Sequence, residues 1–308
     1  MTATLYAMPH NEGFTDLLQR HTSYRRQSLF LHRFPDEETL VQLEAPLSGQ
    51  PAVIVCTLDR PDAKLWPLMM AAATARELGA SQVGLVAPYL AYMRQDARFH
   101  PGEAISASIF GHWLGNTFDW LVTADPHLHR HQGLAEVFPH LSTVVHAATE
   151  LAAWIAAHVE KPLIVGPDDE SAQWVTAVAN LLCAPSIVAH KQRRGDRDVS
   201  VQLPELGHWN EYTPVVIDDI IASGETMMQA VRGLRAQAAR PPVCVAMHGV
   251  FAEGSFEGLR GEGASCIVTS NSIAGDTAHI DISRLVADAV VERCAIPQPG
   301  NTRQGARA

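Results

Sequence analysis

Two adjacent carboxylates, Asp218 and Asp219, close an apolar run in the stretch "PVVIDDIIASGETMMQA", residues 214 to 230. A turn of small and polar residues follows, Ala222-Ser223-Gly224-Glu225-Thr226, and then the pattern of an amphipathic helix. Ligands of an open parallel sheet bind beyond the carboxyl ends of its strands, so these carboxylates stand where a ligand is held. A turn that opens a helix presents backbone N–H groups and a positive helix end, and both suit a phosphate. Gly224 lets the backbone approach closely, and Ser223 and Thr226 add hydroxyls. Carboxylates beside a phosphate cradle match the vicinal hydroxyls of a sugar phosphate. The competing reading is an ordinary helix N-cap on Ser223, which has no need of two consecutive carboxylates.

Other stretches carry chemistry with less definition. Histidines 127, 129 and 131 alternate, and on a strand they would share one face and could hold zinc or nickel. The hydrophilic run "KQRRGDRD" (191–198) contains Gly195 and reads either as a mobile lid or as a solvated surface loop. "RFPDEE" (33–38), taken alone, is an acidic turn.

The elements that must position these residues follow from the apolar patterning. With 308 residues, about 150 per domain predicts two domains. Short apolar runs such as "AVIVCTL", "QVGLVAPYL", "WLVTADPH", "PLIVGPDDES", "SIVAHKQR", "VVIDDI" and "VCVAMHGVF" alternate with helical patterns. Val/Ile-rich runs without polar alternation, separated by helices, predict a parallel sheet covered on both faces. The series occurs twice, which predicts two similar α/β units with a boundary near residues 145 to 160. The closing residues, "PQPGNTRQGARA", read as a loose tail.

Composition excludes several classes. A net charge of −10 argues against a nucleic-acid binder. Cysteines 56, 183, 244, 266 and 294 are scattered and form no CxxC, which predicts reduced, buried thiols in a cytoplasmic protein. "MTATLYAMPHNEG" lacks the basic and apolar regions of a signal peptide. The most apolar early stretch, "LWPLMMAAATARELGA", contains Pro67 and is too short to cross a bilayer.

"VVIDDIIASGETM" resembles the phosphoribosyl pyrophosphate (PRPP) loop of type I phosphoribosyltransferases and of ribose-phosphate pyrophosphokinases. Four further stretches resemble the pyrophosphokinases: "RFPDEETLVQL" (33–43), "PYLAYMRQDARF" (88–99), "TADPHLHRHQG" (123–133) and "HKQRR" (190–194). Their order and spacing cover residues 33 to 226, and "VTSNSI" near the end fits too.

The resemblance implies two tandem type I phosphoribosyltransferase-like domains, residues 1–147 and 148–308, with the last helix able to pack back on the first. It implies transfer of pyrophosphate from ATP to the 1-hydroxyl of ribose 5-phosphate, giving PRPP and AMP. Phe34, Asp36, Glu37, Glu38, Arg94 and Gln95 are then ATP contacts, with residues 34 to 38 reaching a neighbouring subunit. Lys191 and Arg193 are catalytic cations. Arg193, Asp218, Asp219 and residues 222 to 226 hold ribose 5-phosphate. His127 and Asp168 hold Mg²⁺, an ion that takes phosphate oxygens and few protein ligands. Shared ATP sites imply self-association, at least a dimer and as far as a hexamer.

The chain also departs from the family pattern. Ala222 and Glu225 interrupt the usual Asp-Thr-Gly-Gly-Thr, Glu170 and Ser171 replace small residues after Asp168, and Ala97 stands where a basic residue is usual. Two alternatives follow: a catalytically weak, synthetase-like regulatory subunit, and a phosphoribosyltransferase that consumes PRPP.

Overall fold

The computed structural model describes residues 2–131, 133–138, 141–193, 199–209, 211–237 and 240–296, with side chains undescribed at 191–193, 199–202 and 208. Among the described residues the chain forms two compact units.

The first unit begins with β1 (Thr4–Ala7), α1 (Glu12–His21) and β2 (Arg25–Gln27), then a hairpin of β3 (Leu29–Arg33) and β4 (Thr39–Leu43). It continues through β5 (Ala52–Val55), α2 (Asp62–Glu77), β6 (Val83–Ala87), α3 (Ser106–Thr117), β7 (Trp120–Ala124) and β8 (Leu141–Val145). Its sheet runs β2-β1-β5-β6-β7-β8, every pair parallel. The strands β1, β5, β6 and β7 are buried along their whole length. Helices must therefore cover both faces, as unalternated Val/Ile/Leu runs require. Gly84 is a glycine for space: a Cβ there would lie 2.0 Å from Cζ2 of Trp120 on the neighbouring strand.

The second unit comprises α4 (Ala148–His158), β9 (Pro162–Gly166), α5 (Ala172–Leu182), β10 (Ser186–Val188) and a hairpin of β11 (His190–Arg193) and β12 (Val199–Gln202). Then come β13 (Thr213–Ile221), α6 (Glu225–Ala236), β14 (Val243–Gly249), α7 (Ser255–Gly261), β15 (Cys266–Ser270) and β16 (Ala278–Ile280). The sheet order is β10-β9-β13-β14-β15-β16, again all parallel.

Counted within each unit, both sheets therefore follow one topology, second strand, first, third, fourth, fifth, sixth. Each carries an antiparallel hairpin between its second and third strands. The closing helix α8 (Ser283–Ala295) belongs to the first unit. It packs against α1, β7 and β8. Arg293 Nε donates to Thr143 Oγ1 at 2.5 Å, and Nη2 to the Ser142 carbonyl at 2.9 Å.

The structure differs from the sequence expectation in three places. "SIVAHKQR" is two strands rather than one, because the Ala189 N–H turns to the Gly166 carbonyl before the hairpin starts. The segment 33–43 is most of a β-hairpin rather than a bare acidic turn. Cysteines 56, 244 and 294 are buried, but Cys183 is exposed and Cys266 half-buried. Burial pushes the Cys56 and Cys244 thiols up to about 12, which keeps them protonated. No helix of the described chain is long and apolar enough to cross a membrane.

Candidate active site

In the second unit the strand order reverses between β9 and β13, and the loops after those strands are where an open sheet of this kind binds ligands. The loop after β9 opens with Pro167 and buried Asp168. Its Oδ1 accepts from the N–H groups of Glu170 and Ser171 at 3.1 and 3.3 Å, while Ser171 Oγ donates to the Asp168 carbonyl at 2.6 Å. Ser171, a departure from the family pattern, thus closes the loop on its own backbone. Gly166 just before it has no room for a Cβ, which would lie 2.5 Å from Ser171 Oγ.

Asp218 and Asp219 stand near the end of β13, followed only by Ile220 and Ile221. Asp219 is buried, and its N–H donates to Asp218 Oδ1 at 3.0 Å. Burial, and then the charges of Asp219 and Asp168, hold the Asp218 carboxyl well above the usual carboxylate range. Three carboxylates thus meet at the ends of two adjacent strands.

The turn that follows has Gly224 at φ 73, a left-handed conformation that favours glycine. Gly224, rather than Ser223, is the N-cap of α6, and no side chain caps the helix. Ser223 Oγ stands at the outer limit of hydrogen bonding, 3.5 Å from the Glu225 nitrogen. The first-turn N–H groups are therefore left to another acceptor, as a phosphate site requires. Glu225 is exposed and accepts from Gln229 Nε2 at 2.9 Å, so its charge is drawn along the helix surface. Ala222 contributes its carbonyl to the Ala252 N–H, and Thr226 is half-buried in the first turn of α6.

Lys191 and Arg193 lie on β11, and their side chains lie outside the described residues, as does the segment 194–198 of the expected lid. The hairpin base is visible: His190 Nδ1 is 2.8 Å from Asp169 Oδ1.

The first unit holds the remaining expected residues. Phe34 through Glu38 form the tip of the β3–β4 hairpin, closed by Phe34 N–H to the Glu38 carbonyl at 2.8 Å and Glu37 N–H to the Phe34 carbonyl at 2.9 Å. Asp36 Oδ1 accepts the Glu38 N–H, and Glu37 pairs with Arg33 at 3.1 Å. Phe34 is 40% exposed with its ring edge against His32. Arg94 and Gln95 are exposed after β6, and Ser106 Oγ donates to Gln95 Oε1 at 2.6 Å. His127 is half-buried, its ring 4.1 Å from that of His129. His127 and His129 belong to a group of side chains that could hold a metal ion, and His131 does not join it. The three histidines sit on a loop after β7 rather than on a strand, and His131 Nδ1 pairs with Glu136.

Residues 3–116 match the family model of the N-terminal domain of ribose phosphate pyrophosphokinase, and residues 140–271 that of the phosphoribosyl transferase domain. The ribose-phosphate pyrophosphokinase of Halobacterium salinarum is 31% identical over 282 residues, 91% of this chain and 98% of that one. That of Saccharolobus solfataricus is 32% identical, covering 82% and 88%. This chain belongs to the ribose-phosphate pyrophosphokinase family. A solved phosphoribosylpyrophosphate synthetase from Mycobacterium smegmatis shares the fold, with a TM-score of 0.82 at 22% identity over 95% of this chain and 100% of that one.

The two matched ranges contain both hairpins and the ends of β9 and β13. What sequence reasoning missed within them is the bracing: the His190–Asp169 and Ser106–Gln95 contacts join residues 21 and 11 positions apart. Neither pair forms a motif that could be read from the chain.

Proposed function

We propose that this chain is a ribose-phosphate diphosphokinase, which forms PRPP and AMP from ATP and ribose 5-phosphate. The observation that carries the reading is the match of both halves in order, the first to a domain that belongs to the pyrophosphokinases. A phosphoribosyltransferase needs only the second.

In the reaction the 1-hydroxyl of ribose 5-phosphate attacks the β-phosphorus of ATP. The bond from that phosphorus to the α,β-bridging oxygen breaks, AMP leaves, and the hydroxyl proton is lost. The protein's task is to align two anions and to offset spreading charge. Asp218 and Asp219 accept from the ribose hydroxyls. The uncapped N–H groups of α6 and the hydroxyls of Ser223 and Thr226 take the 5-phosphate, with Gly224 providing the close approach. Phe34 stacks on adenine, Asp36 and Glu38 hydrogen-bond the nucleoside, and Glu37 shapes the hairpin tip. Arg94 grips phosphate oxygens bidentately. Gln95, whose Oε1 is occupied by Ser106, presents its amide N–H₂. Lys191 and Arg193 neutralise transition-state charge.

The donor chemistry fits Mg²⁺. Asp168, Asp218 and Asp219 are hard oxygen donors whose mutual repulsion a cation relieves, as the raised Asp218 carboxyl indicates. Asp168 would hold the ion, with His127 acting through water because imidazole is a poor direct ligand for so hard a cation. Bound Mg²⁺ supplies charge neutralisation on the ATP phosphates. The same reading makes the enzyme cytoplasmic and self-associating, with residues 34 to 38 completing a neighbour's ATP site.

The test is AMP release from ATP with and without ribose 5-phosphate and Mg²⁺, with PRPP identified by ³¹P NMR. AMP formation that requires both additions is expected. Consumption of PRPP and a nucleobase with no AMP formed from ATP would assign the chain to the phosphoribosyltransferases instead.

A further inference from the structure

Arg130 lies in the loop after β7, three residues beyond His127. Its Nη1 donates to Asp96 Oδ1 at 2.7 Å, and its guanidinium carbon stands 5.2 Å from the centre of the Phe99 ring. The two partners differ sharply in exposure: the Asp96 side chain is 1% exposed and that of Arg130 52%. Asp96 Oδ2 is buried with no hydrogen-bond partner among the described residues, so Arg130 is the countercharge that makes this carboxylate tolerable.

Asp96 directly follows Arg94 and Gln95. Phe99 is 58% exposed, yet its backbone is held: Phe99 and His100 N–H both donate to Glu103 Oε2 at 2.9 Å, and Arg98 Nε donates to the Glu103 carbonyl at 2.7 Å. One guanidinium therefore touches a buried anchor and an exposed ring on the same braced segment.

We propose that Arg130 is a positioning residue for nucleotide binding. By engaging Asp96 and Phe99 together it locks the segment 94–99 to the loop 125–131, and so fixes Arg94 and Gln95 relative to His127. This inference rests on the reading of those residues as ATP and metal contacts. A lysine cannot reproduce it, because an ammonium lacks the planar fork that pairs with a carboxylate while lying on a ring. Small displacements of phosphate-gripping groups carry large kinetic costs.

The test compares Arg130→Met, Arg130→Lys and the double variant Asp96→Asn/Arg130→Met in the full chain. Hydrogen exchange of peptides covering 94–103 and 125–131 is measured without ATP, beside melting temperature, kcat and KM for both substrates. Arg130→Met is expected to raise KM for ATP about tenfold, leave KM for ribose 5-phosphate in place and speed exchange in both segments together. Arg130→Lys should fall between it and the parent. The double variant removes the unpaired buried charge, so its melting temperature should recover while KM for ATP stays high. Recovery of both would reduce Arg130 to a stability staple, and faster exchange in only one segment would also overturn the lock. If the parent protein makes no PRPP, the exchange experiment still decides the lock, and only the proposed reaction falls.

Discussion

His190 Nδ1 lies 2.8 Å from Asp169 Oδ1, so the first residue of the β11–β12 hairpin is tied to the loop that follows β9. The two side chains are 69% and 65% exposed, and pairs in water contribute at most about 1 kcal/mol. Asp169→Ala is therefore expected to leave stability nearly unchanged while loosening the base of the hairpin. A fall of a few-fold in kcat and faster amide exchange at 190–193 are the expected readouts. A loss of activity as large as that of Lys191→Ala would instead put Asp169 among the reacting groups.

Lys191→Ala should lower kcat by roughly a hundredfold or more, the scale for removing one group that stabilises transition-state charge. Melting temperature should hardly move. A matching loss of stability would mark Lys191 as structural.

Asp218→Asn has opposite consequences for binding and for stability. On the proposed reading the carboxylate accepts from the sugar hydroxyls, where an amide has one acceptor oxygen. KM for ribose 5-phosphate should therefore rise by the equivalent of about 1.5–3 kcal/mol, with KM for ATP little changed. The folded-state pKa of Asp218 is raised by burial, Asp219 and Asp168, so folding favours its protonated form. That contribution is fully present below the unfolded value near 3.9 and is lost as pH rises through the folded value. The variant, never ionised, should therefore melt higher than the parent at neutral pH in EDTA, and the gap should close as pH falls toward 4. Thermal melts from pH 4 to 8 check this, and a gap that widens on acidification refutes the assignment.

Phe34 and the Asp36–Glu38 turn form an exposed hairpin tip, suited to reach a second copy of the chain. Mixing a Phe34→Ala/Glu38→Ala chain with a Lys191→Ala chain should restore part of the activity, since some interfaces then contain one complete site. Two inactive parents that stay inactive after verified subunit exchange would show that each site is built within one chain.

The sequence displayed the parallel sheets well, because β5, β6, β7, β9, β13, β14 and β15 each hold a run of three or more apolar residues. It hid β1, four residues long, and β2, a three-residue edge strand of two arginines and a glutamine whose strand character comes from pairing with β1. The Asp218–Asp219 pair was legible because carboxylates at the end of a buried strand need a reason to be there. The Arg130–Asp96 contact was not, since its partners are 34 residues apart and belong to different loops. The apolar face of α8 shows that the helix must be covered, and nothing in its spacing says by what.

The placement of α8 has a consequence for biosynthesis. The second unit is one unbroken stretch, His146–Ile282, and its sheet can close as soon as that stretch leaves the ribosome. The first unit is synthesised earlier but lacks the helix that covers α1, β7 and β8 until residues 283–295 emerge. At 5–20 residues per second, translation of the intervening stretch lasts roughly 7–27 s. The half made first is thus the half completed last, and through that interval its uncovered faces are the part of the nascent chain most in need of a chaperone.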